Sequence, residues 1–184
     1  MNGLISILPP FLCEEIFFFW NQLSERFGVQ RVKLTGTPHI TWNYAEHYCL
    51  DDPQVFCKAL ARRLQPLRCR TNGLGLFSGK RPVLYIAVMM NTEMEAFHRQ
   101  IWDAVNPVAV LPNKRYHPDR WIPHITLAME DLTSENIGPI TAFLSAYKWK
   151  YTFNIQSLSW VTRSLGESMQ IENTFGINTE EASR

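Results

Sequence analysis

The chain has 184 residues, of which 46% are hydrophobic and 19% are charged, and its formal net charge is +1. These values are typical of one folded domain with a sizeable core, and they exclude a largely disordered polypeptide. Because the net charge is close to zero, no global field attracts a polyanion, and any contact with nucleic acid must come from a local group of Lys and Arg side chains.

Cysteine usage and the apolar segments predict a cytoplasmic protein. The cysteines form no C-x-x-C pair, and the first ten residues lack a basic segment followed by a long apolar run. The longest apolar cluster, IFFFW at 16–20, is far shorter than the roughly 20 residues that a membrane-spanning helix needs. We therefore expect a reducing environment, no membrane contact, and a core helix at this cluster. The four cysteines are Cys13, Cys49, Cys57 and Cys69.

In the first half of the chain, hydrophobic periodicity predicts two strand-helix pairs. GLISILP (3–9) has the composition of a strand, and the apolar residues after it repeat at helical spacing until Gly28. TPHITWNY (37–44) is β-branched and aromatic, which predicts a second strand. DDPQVFCKALARRLQ (51–65) begins with acidic capping residues and a proline suited to a first turn, which predicts a second helix. The inward side chains of the two helices would be Leu12, Ile16, Trp20, Leu23 and Phe27, and then Val55, Leu60 and Leu64.

The second half of the chain repeats this order. A predicted hairpin, residues 69–77 and 82–90 around the turn SGKRP, leads into it. A helix follows at 91–106, capped by Asn91 or Thr92, with Phe97, Ile101 and Val105 on one face. The further predicted elements are a strand at 121–129, a helix at 133–147, and strands at 151–162 and 168–177.

The segment PHIT occurs twice, at 38–41 and 123–126. We call the difference in residue number between His39 and His124 the repeat interval. Leu74 and Leu76 precede Leu158 and Trp160 by almost the same interval, in the strands after each second helix. The pattern predicts an α+β fold made of a duplicated unit, with two sheets facing a central cleft across a pseudo-two-fold axis. We expect one bilobal domain at 1–178, with halves of roughly 1–80 and 81–178 that exchange strands, and a disordered tail at 179–184.

Each PHIT offers one imidazole and one hydroxyl to the same surface. Side chains alternate along a strand, so His39 and Thr41 share one face, as do His124 and Thr126. Two imidazoles that titrate near neutrality suit a phosphate, because one can remove a proton from the attacking oxygen while the other protonates the leaving oxygen. The two hydroxyls would hold the non-bridging oxygens. Because fixed donors would meet the charge on phosphorus and neither motif carries an acidic cluster, we expect no cofactor and no metal.

Other interpretations of the motif have less support. Thr and Ile are good strand formers, and H-x-T alone is expected by chance at this composition. A zinc site would require scattered histidines and cysteines that have no recognised ligand spacing. The matched positions of the two copies in a repeated order of elements favour an active site.

The paired motifs HITW (39–42) and HITL (124–127) resemble those of the 2H phosphoesterase superfamily. The whole chain, including its GLGLF…RPVLYIAV hairpin, resembles the 2′-5′ RNA ligase (LigT-like) and RNA 2′,3′-cyclic phosphodiesterase branch. This resemblance implies a bilobal α+β fold and metal-independent hydrolysis of 2′,3′-cyclic phosphates, with reversible 2′-5′ ligation in some members. It also implies that His39 and His124 form the acid-base pair and that Thr41 and Thr126 bind phosphate.

Within that resemblance, His124 would be the base that activates water and His39 the acid, although the residues themselves do not distinguish the two roles. Two departures bear on substrate preference and on ligation. Met129 stands where relatives commonly have Arg, and Trp42 replaces an aliphatic residue. The alternatives that stay open are 2′-5′ RNA ligation and a non-catalytic module that binds nucleotides or RNA.

Other side chains are assigned by their local context. The loop PNKRYHPDRW (112–121) mixes cations with aromatic rings, which suits contacts to phosphates and bases of RNA ends or cyclic nucleotides. Alternation would put Asn43 on the motif face, and Trp42 and Tyr44 in the core. We expect Lys80 and Arg81 to be exposed turn residues, His47 and His98 to be incidental, and the protein to be a monomer. The loop residues expected to contact substrate are Lys114, Arg115, Tyr116 and Arg120.

Overall fold

The structure is a computed structural model that describes residues 1–164 and 166–178, so the tail predicted to be disordered lies outside the described residues. The order of elements agrees with the predicted repeat. In chain order they are β1 (Asn2–Ile7), α1 (Pro10–Phe27), β2 (His39–Tyr48), α2 (Pro53–Arg63), β3 (Leu67–Phe77), β4 (Val83–Val88), α3 (Thr92–Val105), β5 (Ala109–Pro112), β6 (His124–Met129), α4 (Ile137–Ser145), β7 (Thr152–Ile155), β8 (Ser157–Thr162) and β9 (Gln170–Gly176).

The fold is α+β with two antiparallel sheets, as the sequence predicts. One sheet has the strand order β5-β2-β1-β8-β9, and the other has the order β6-β4-β3-β7. Each sheet therefore contains strands from both halves of the chain. The two motif strands, β2 and β6, contact each other where the sheets meet.

Strand registers show the pseudo-two-fold relation directly. In the pairing of β3 with β7, Leu67 lies opposite Ile155 and Arg70 lies opposite Thr152. A shift by the repeat interval converts one of these pairs into the other, because 67 becomes 152 and 70 becomes 155. The pseudo-two-fold axis therefore passes through this pairing.

Both motif strands carry a register shift at the same place. Thr41 pairs with Ile5 and the next pair is Asn43 with Leu4, so Trp42 is skipped. In β6, Thr126 and Ala128 pair with Tyr85 and Leu84, so Leu127 is skipped in the same way. One extra residue in one strand is a β-bulge, which reverses the alternation of side chains beyond it. The duplicated unit thus includes a bulge directly after each motif threonine.

Helices α1 and α3 each pack against a strand of the sheet opposite to the one that they follow in the chain. α1 follows β1 of the five-stranded sheet but packs against β6, and α3 follows β4 but packs against β2. The inward face predicted for α1 is confirmed, with Phe27 partly buried, and the helix ends at Gly28 in the left-handed region, at φ 69°. Each motif strand is consequently backed by a helix that follows the other sheet.

The IFFFW cluster lies in α1, as predicted, but only part of it is core. Ile16, Phe19 and Trp20 are buried, whereas Phe17 and Phe18 are 38% and 51% exposed. None of the helices in the described ranges combines the length and the apolarity that crossing a bilayer requires.

The prediction that Val55 faces the core is wrong, since this side chain is 64% exposed. The buried face of α2 is set by Cys57, Leu60 and Ala61, and Leu64 continues it beyond the helix. Val55 is two positions before Cys57, which turns it about 200° away from that face.

Three other elements differ from prediction. β5, a short edge strand, was not predicted. The segment 151–162 forms two strands, of which β7 pairs with β3 and β8 pairs with β1 of the other sheet. α4 begins at Ile137, later than predicted, after a turn in which Thr133 and Asn136 bond each other.

Candidate active site

The four motif side chains meet in one cavity of about 510 Å³ that is lined by residues of both sheets. β2 supplies His39 and Thr41, and β6 supplies His124 and Thr126. Residues far apart in sequence come together because the two motif strands contact each other. The cavity therefore contains two imidazoles and two hydroxyls in pseudo-symmetric positions.

Both imidazoles are fixed in the same way. Nδ1 of His39 lies 2.6 Å from the carbonyl oxygen of Thr37, and Nδ1 of His124 lies 2.7 Å from that of Ile122. A carbonyl can only accept a hydrogen bond, so Nδ1 carries the proton in both rings. Nε2 is left on each ring as the nitrogen that can accept a proton from a ligand in the cavity.

The prolines of the two motifs explain why the repeated word is PHIT rather than H-x-T alone. Pro38 accepts a hydrogen bond from the N–H of Leu8, and Pro123 accepts one from the N–H of Val88, each at 3.2 Å. These bonds tie each motif to the strand beside it. Proline also restricts the residue before it to extended backbone, and that residue is the one whose carbonyl holds the histidine. The proline and the residue before it therefore help to fix the orientation of the imidazole in each motif.

Burial lowers the pKa of both histidines. For His39 burial is the main cause, and the nearby His124 and Arg163 add to it, which brings the pKa to about 4. Burial also lowers the pKa of His124. At neutral pH both imidazoles are therefore uncharged, and each can act as a base.

The bulges decide which side chains beyond the motifs reach the cavity. Tyr44 and Met129, which are related by the repeat interval, both line it, whereas Asn43 is completely buried. The prediction that Tyr44 lies on the core side and Asn43 on the motif face is therefore wrong. Simple alternation fails because Trp42 is the skipped residue of β2.

Trp42 of the first motif strand and His98 of α3 are packed together. Trp42 is in the core, as predicted, and its N–H donates to the hydroxyl of Ser6 at 2.7 Å. His98, predicted to be incidental, is 2% exposed, and its Nε2 donates to the carbonyl of Trp42 at 3.1 Å. Its ring stacks on Trp121 with centroids 3.9 Å apart and planes 5° apart. Neither His98 nor the exposed His47 lines the cavity, so their lack of a role in the site stays a prediction.

The loop before β6 contributes the four predicted side chains. Burial raises the pKa of the Tyr116 phenol to about 12, and the nearby hydroxyl of Thr41 lowers it by less. The phenol is therefore a neutral donor or acceptor beside a motif threonine. The loop residues that line the cavity are Lys114, Arg115, Tyr116 and Arg120.

Two further cations line the cavity and were not predicted to do so. Arg81 belongs to the hairpin turn and reaches the cavity, whereas its neighbour Lys80 does not line it. Arg163 follows β8, and its guanidinium lies 3.4 Å from a carboxylate oxygen of Glu130. The repeat could have indicated this position, because Ser78, which precedes Arg163 by the repeat interval, also lines the cavity.

Two aromatic rings flank His124 on the side of β3 and β4. The ring of Phe77 is perpendicular to the imidazole with centroids 5.0 Å apart, and the ring of Tyr85 is tilted at 5.3 Å. Neither ring was singled out from the sequence. The aromatic contacts restrict the imidazole of His124 from a second side.

The chemistry of the lining suits an anion. Among the described residues that line the cavity, five are Lys or Arg and none is Asp or Glu. Within 1–164 and 166–178, no three His, Cys, Asp or Glu side chains are grouped so that they could hold a metal ion. The four cysteines are free, and Cys49 is the exposed one.

Comparisons with known proteins agree with the geometry. The sequence model of the 2′-5′ RNA ligase superfamily matches residues 10–167. Among solved structures, the fold is similar to the crystal structure of TT0787 of Thermus thermophilus, with a TM-score of 0.63 and 15% identity over 97% of this chain and 98% of that chain. Kluyveromyces marxianus Usb1 with uridine monophosphate aligns over 92% of this chain and 96% of that chain, with a TM-score of 0.45 and 10% identity. No curated protein sequence matches the chain. Because the superfamily model covers most of the sequence, the chain belongs to the 2′-5′ RNA ligase superfamily of 2H phosphoesterases.

Proposed function

We propose that this protein hydrolyses 2′,3′-cyclic phosphates at RNA ends or on small nucleotides by metal-independent acid-base catalysis. The observation that carries the proposal is the pair of imidazoles, each with Nδ1 held by a backbone carbonyl and Nε2 left for a ligand. Both line one cavity with a hydroxyl on the same strand. Such a set has the groups that a displacement at phosphorus needs.

In the proposed reaction, Nε2 of one histidine takes a proton from water as the water oxygen attacks phosphorus. The bond from phosphorus to one sugar oxygen breaks, and the other histidine gives its proton to that oxygen. One water molecule is consumed, and the product is a nucleoside with a 2′- or 3′-phosphate. The pseudo-two-fold relation supports the proposal because it puts the two imidazoles in equivalent positions of opposite sheets, which suits attack and departure on opposite sides of phosphorus.

His124 is proposed as the base and His39 as the acid, following the family resemblance. The low pKa of His39 disfavours the protonated form that an acid needs. A bound cyclic phosphate brings a negative charge next to the ring, and a neighbouring opposite charge raises the pKa of a histidine. Substrate binding would thus favour the protonated form of His39, which the role of acid requires.

Thr41 and Thr126 are proposed to hold the non-bridging oxygens, where a fixed donor stabilises charge that develops on the phosphate. Lys114, Arg115 and Arg120 are proposed to contact the phosphates of an RNA strand. We further propose that residues 1–178 act as one bilobal domain and as a monomer, because a single cavity draws its groups from both sheets.

The test is product analysis on a panel of 2′,3′-cyclic nucleotides and cyclic-ended oligonucleotides, with excess EDTA present. We expect opening of the cyclic phosphate, in EDTA, at a rate that both histidines control. Binding of nucleotides without turnover of any panel member would overturn the proposal in favour of a binding module. Joined products, formed when cyclic and 5′-hydroxyl ends are supplied together, would show that a hydroxyl replaces water as the attacking group.

A further inference from the structure

The cavity is symmetric in its motif residues but not in what surrounds them. In the strand pairing, Phe77 lies opposite Val83 of β4, and the residue in the corresponding position of the other sheet is Val161, which lies opposite Gly3 of β1. Phe77 lines the cavity, whereas Val161 is completely buried and does not, so the ring of Phe77 has no pseudo-symmetric counterpart in the described lining. Since a symmetric set of catalytic groups cannot choose which way round a substrate lies, this difference must orient it.

The ring of Phe77 is backed on one face. It stacks on Tyr85 with centroids 4.2 Å apart and planes 29° apart. Gly75 makes this possible, because a Cβ at that position would lie 2.3 Å from the Tyr85 ring. Phe77 also contacts the His124 ring, but it is only partly buried and lines the cavity, so part of the ring is accessible to a ligand.

The other aromatic rings in the cavity lining are already engaged. Tyr44 and Tyr116 are tilted by 56° to each other, and their hydroxyls are directed to Met169 and Thr41 respectively. Trp121 is 4% exposed. In the part of the chain that the structure describes, Phe77 is thus the lining ring that combines a stacked aromatic neighbour with an accessible surface in the cavity.

We infer that Phe77, supported by Tyr85, is a stacking platform for a nucleobase, so that the nucleoside of the substrate lies on the His124 side of the cavity. This inference rests on the proposed function, since it names how that site orients its substrate. Every base has a π-face, so a platform of this kind favours nucleosides over base-free phosphates with little preference among bases. On the opposite side, Arg163 is held by Glu130 and offers charge instead of a ring.

The experiment compares a ligand that has a base with one that lacks it. Adenosine 2′,3′-cyclic phosphate and glycerol 1,2-cyclic phosphate share the five-membered phosphate ring, and only the first can stack. Phe77→Leu removes the aromatic face and keeps an apolar side chain, while Phe77→Trp keeps a face. Leu76→Ala is the matched control, because Leu76 is the neighbouring residue of β3, is 47% exposed and does not line the cavity.

We expect Phe77→Leu to raise KM for the adenosine substrate by roughly 10-fold to 100-fold, the range of one base stacked on an aromatic side chain, and to change KM for the glycerol substrate much less. Because Phe77 also contacts His124, any loss of kcat in this variant should be the same for both substrates. Phe77→Trp should restore binding. Equal changes in KM for the two substrates, or an unchanged KM for both, would overturn the inference. Urea unfolding of Phe77→Leu, compared with that of Leu76→Ala and of the unmodified protein, shows whether the variant is folded.

Binding measurements separate this inference from the proposed function. Calorimetry with adenosine 2′-monophosphate and glycerol 2-phosphate reports stacking even if the protein turns over no cyclic phosphate. Selective weakening of the adenosine ligand in Phe77→Leu, together with no turnover by the unmodified protein, would retain the platform and overturn the hydrolysis. If neither ligand binds to the unmodified protein, both the inference and the proposed function are overturned.

Discussion

The indole N–H of Trp121 donates to the carbonyl oxygen of Thr41 at 3.0 Å. The other motif has the same relation, because the N–H of Trp20 donates to the carbonyl of Thr126 at 3.1 Å. Both carbonyls lie directly before a bulge, where the pairing of a strand is locally disrupted. The two tryptophans therefore hold the backbone that carries the hydroxyls proposed to bind phosphate, and each comes from outside the strand that it holds.

We predict that Trp121→Phe lowers both stability and turnover. The variant keeps an aromatic ring but leaves a buried carbonyl without its donor, which typically costs about 1–3 kcal/mol. Because the backbone of Thr41 is then less restrained, kcat should fall by roughly 10-fold with a smaller change in KM, in the way that misplacement of a catalytic group reduces rate. Urea unfolding and steady-state kinetics measure the two effects.

Trp149→Phe is the matched control for that prediction. The N–H of Trp149 donates to the carbonyl of Leu144 at 2.8 Å, and this residue does not line the cavity. It should lose comparable stability and keep kcat. If both variants lose activity in proportion to stability, Trp121 has only a structural role.

The motif histidines and threonines should differ in how much activity they control. His39→Ala and His124→Ala each remove one proton-transfer group, and we expect a loss of about 10²-fold to 10⁴-fold in kcat. Thr126→Ala removes one donor to the phosphate, and we expect a loss of up to about 10²-fold to 10³-fold. His47→Ala, at an exposed position of the same strand as His39, should leave kcat unchanged. Full turnover by either motif-histidine variant would contradict the assigned roles.

Much of the fold could be predicted from the sequence because the order of strands, helices and PHIT motifs occurs twice in the chain. The inward face of α1 and the Asn91 cap of α3 follow from helical spacing and from local hydrogen bonding, and both are confirmed. The division of 151–162 into two strands could not be predicted, because a continuous β-forming run does not indicate where a strand changes sheet. The edge strand β5 is too short to show any periodicity.

In the cavity, motif residues could be found from sequence but their neighbours could not. The prediction for Tyr44 is wrong because side chains do not alternate strictly across a β-bulge, and no residue type in this segment indicates the bulge. Arg81 and Arg163 lie in connecting segments, and which of these face the cavity depends on how the sheets meet. Phe77 becomes informative only when its contacts with Tyr85 and His124 are known.

The pH dependence of kcat/KM should be displaced toward acid. This parameter reports the free enzyme, in which the base must be unprotonated and the acid protonated, so activity falls below the pKa of the base and above that of the acid. Burial lowers the pKa of both His39, to about 4, and His124 from the usual value near 6.5. The maximum should therefore lie below pH 6.5. A profile measured over pH 4–9, with unfolding checked at each pH, tests this, and a maximum above pH 7 would contradict the assignment of the two imidazoles.

The stability of the protein should also fall in acid, and His98 provides the clearest test. Burial lowers the pKa of His98 to about 4, so between pH 6.5 and 4 the unfolded chain takes up a proton that the folded protein does not. The free energy of unfolding then decreases as pH falls, by up to about 1.4 kcal/mol per pH unit for one such group.

We therefore expect His98→Gln to be less stable than the unmodified protein at pH 7, because it loses the ring stacked on Trp121, but to lose less stability on acidification. Gln can still donate to the carbonyl of Trp42 and does not titrate, so the drop between pH 7 and pH 5 should shrink by about 2 kcal/mol. Urea unfolding at the two pH values measures the drop, and His47→Gln, on an exposed side chain, should retain the full drop. An equal drop in His98→Gln and in the unmodified protein would mean that His98 is protonated in the folded state at pH 5. Its hydrogen bond to Trp42 and its stack on Trp121 would then have to tolerate a buried charge.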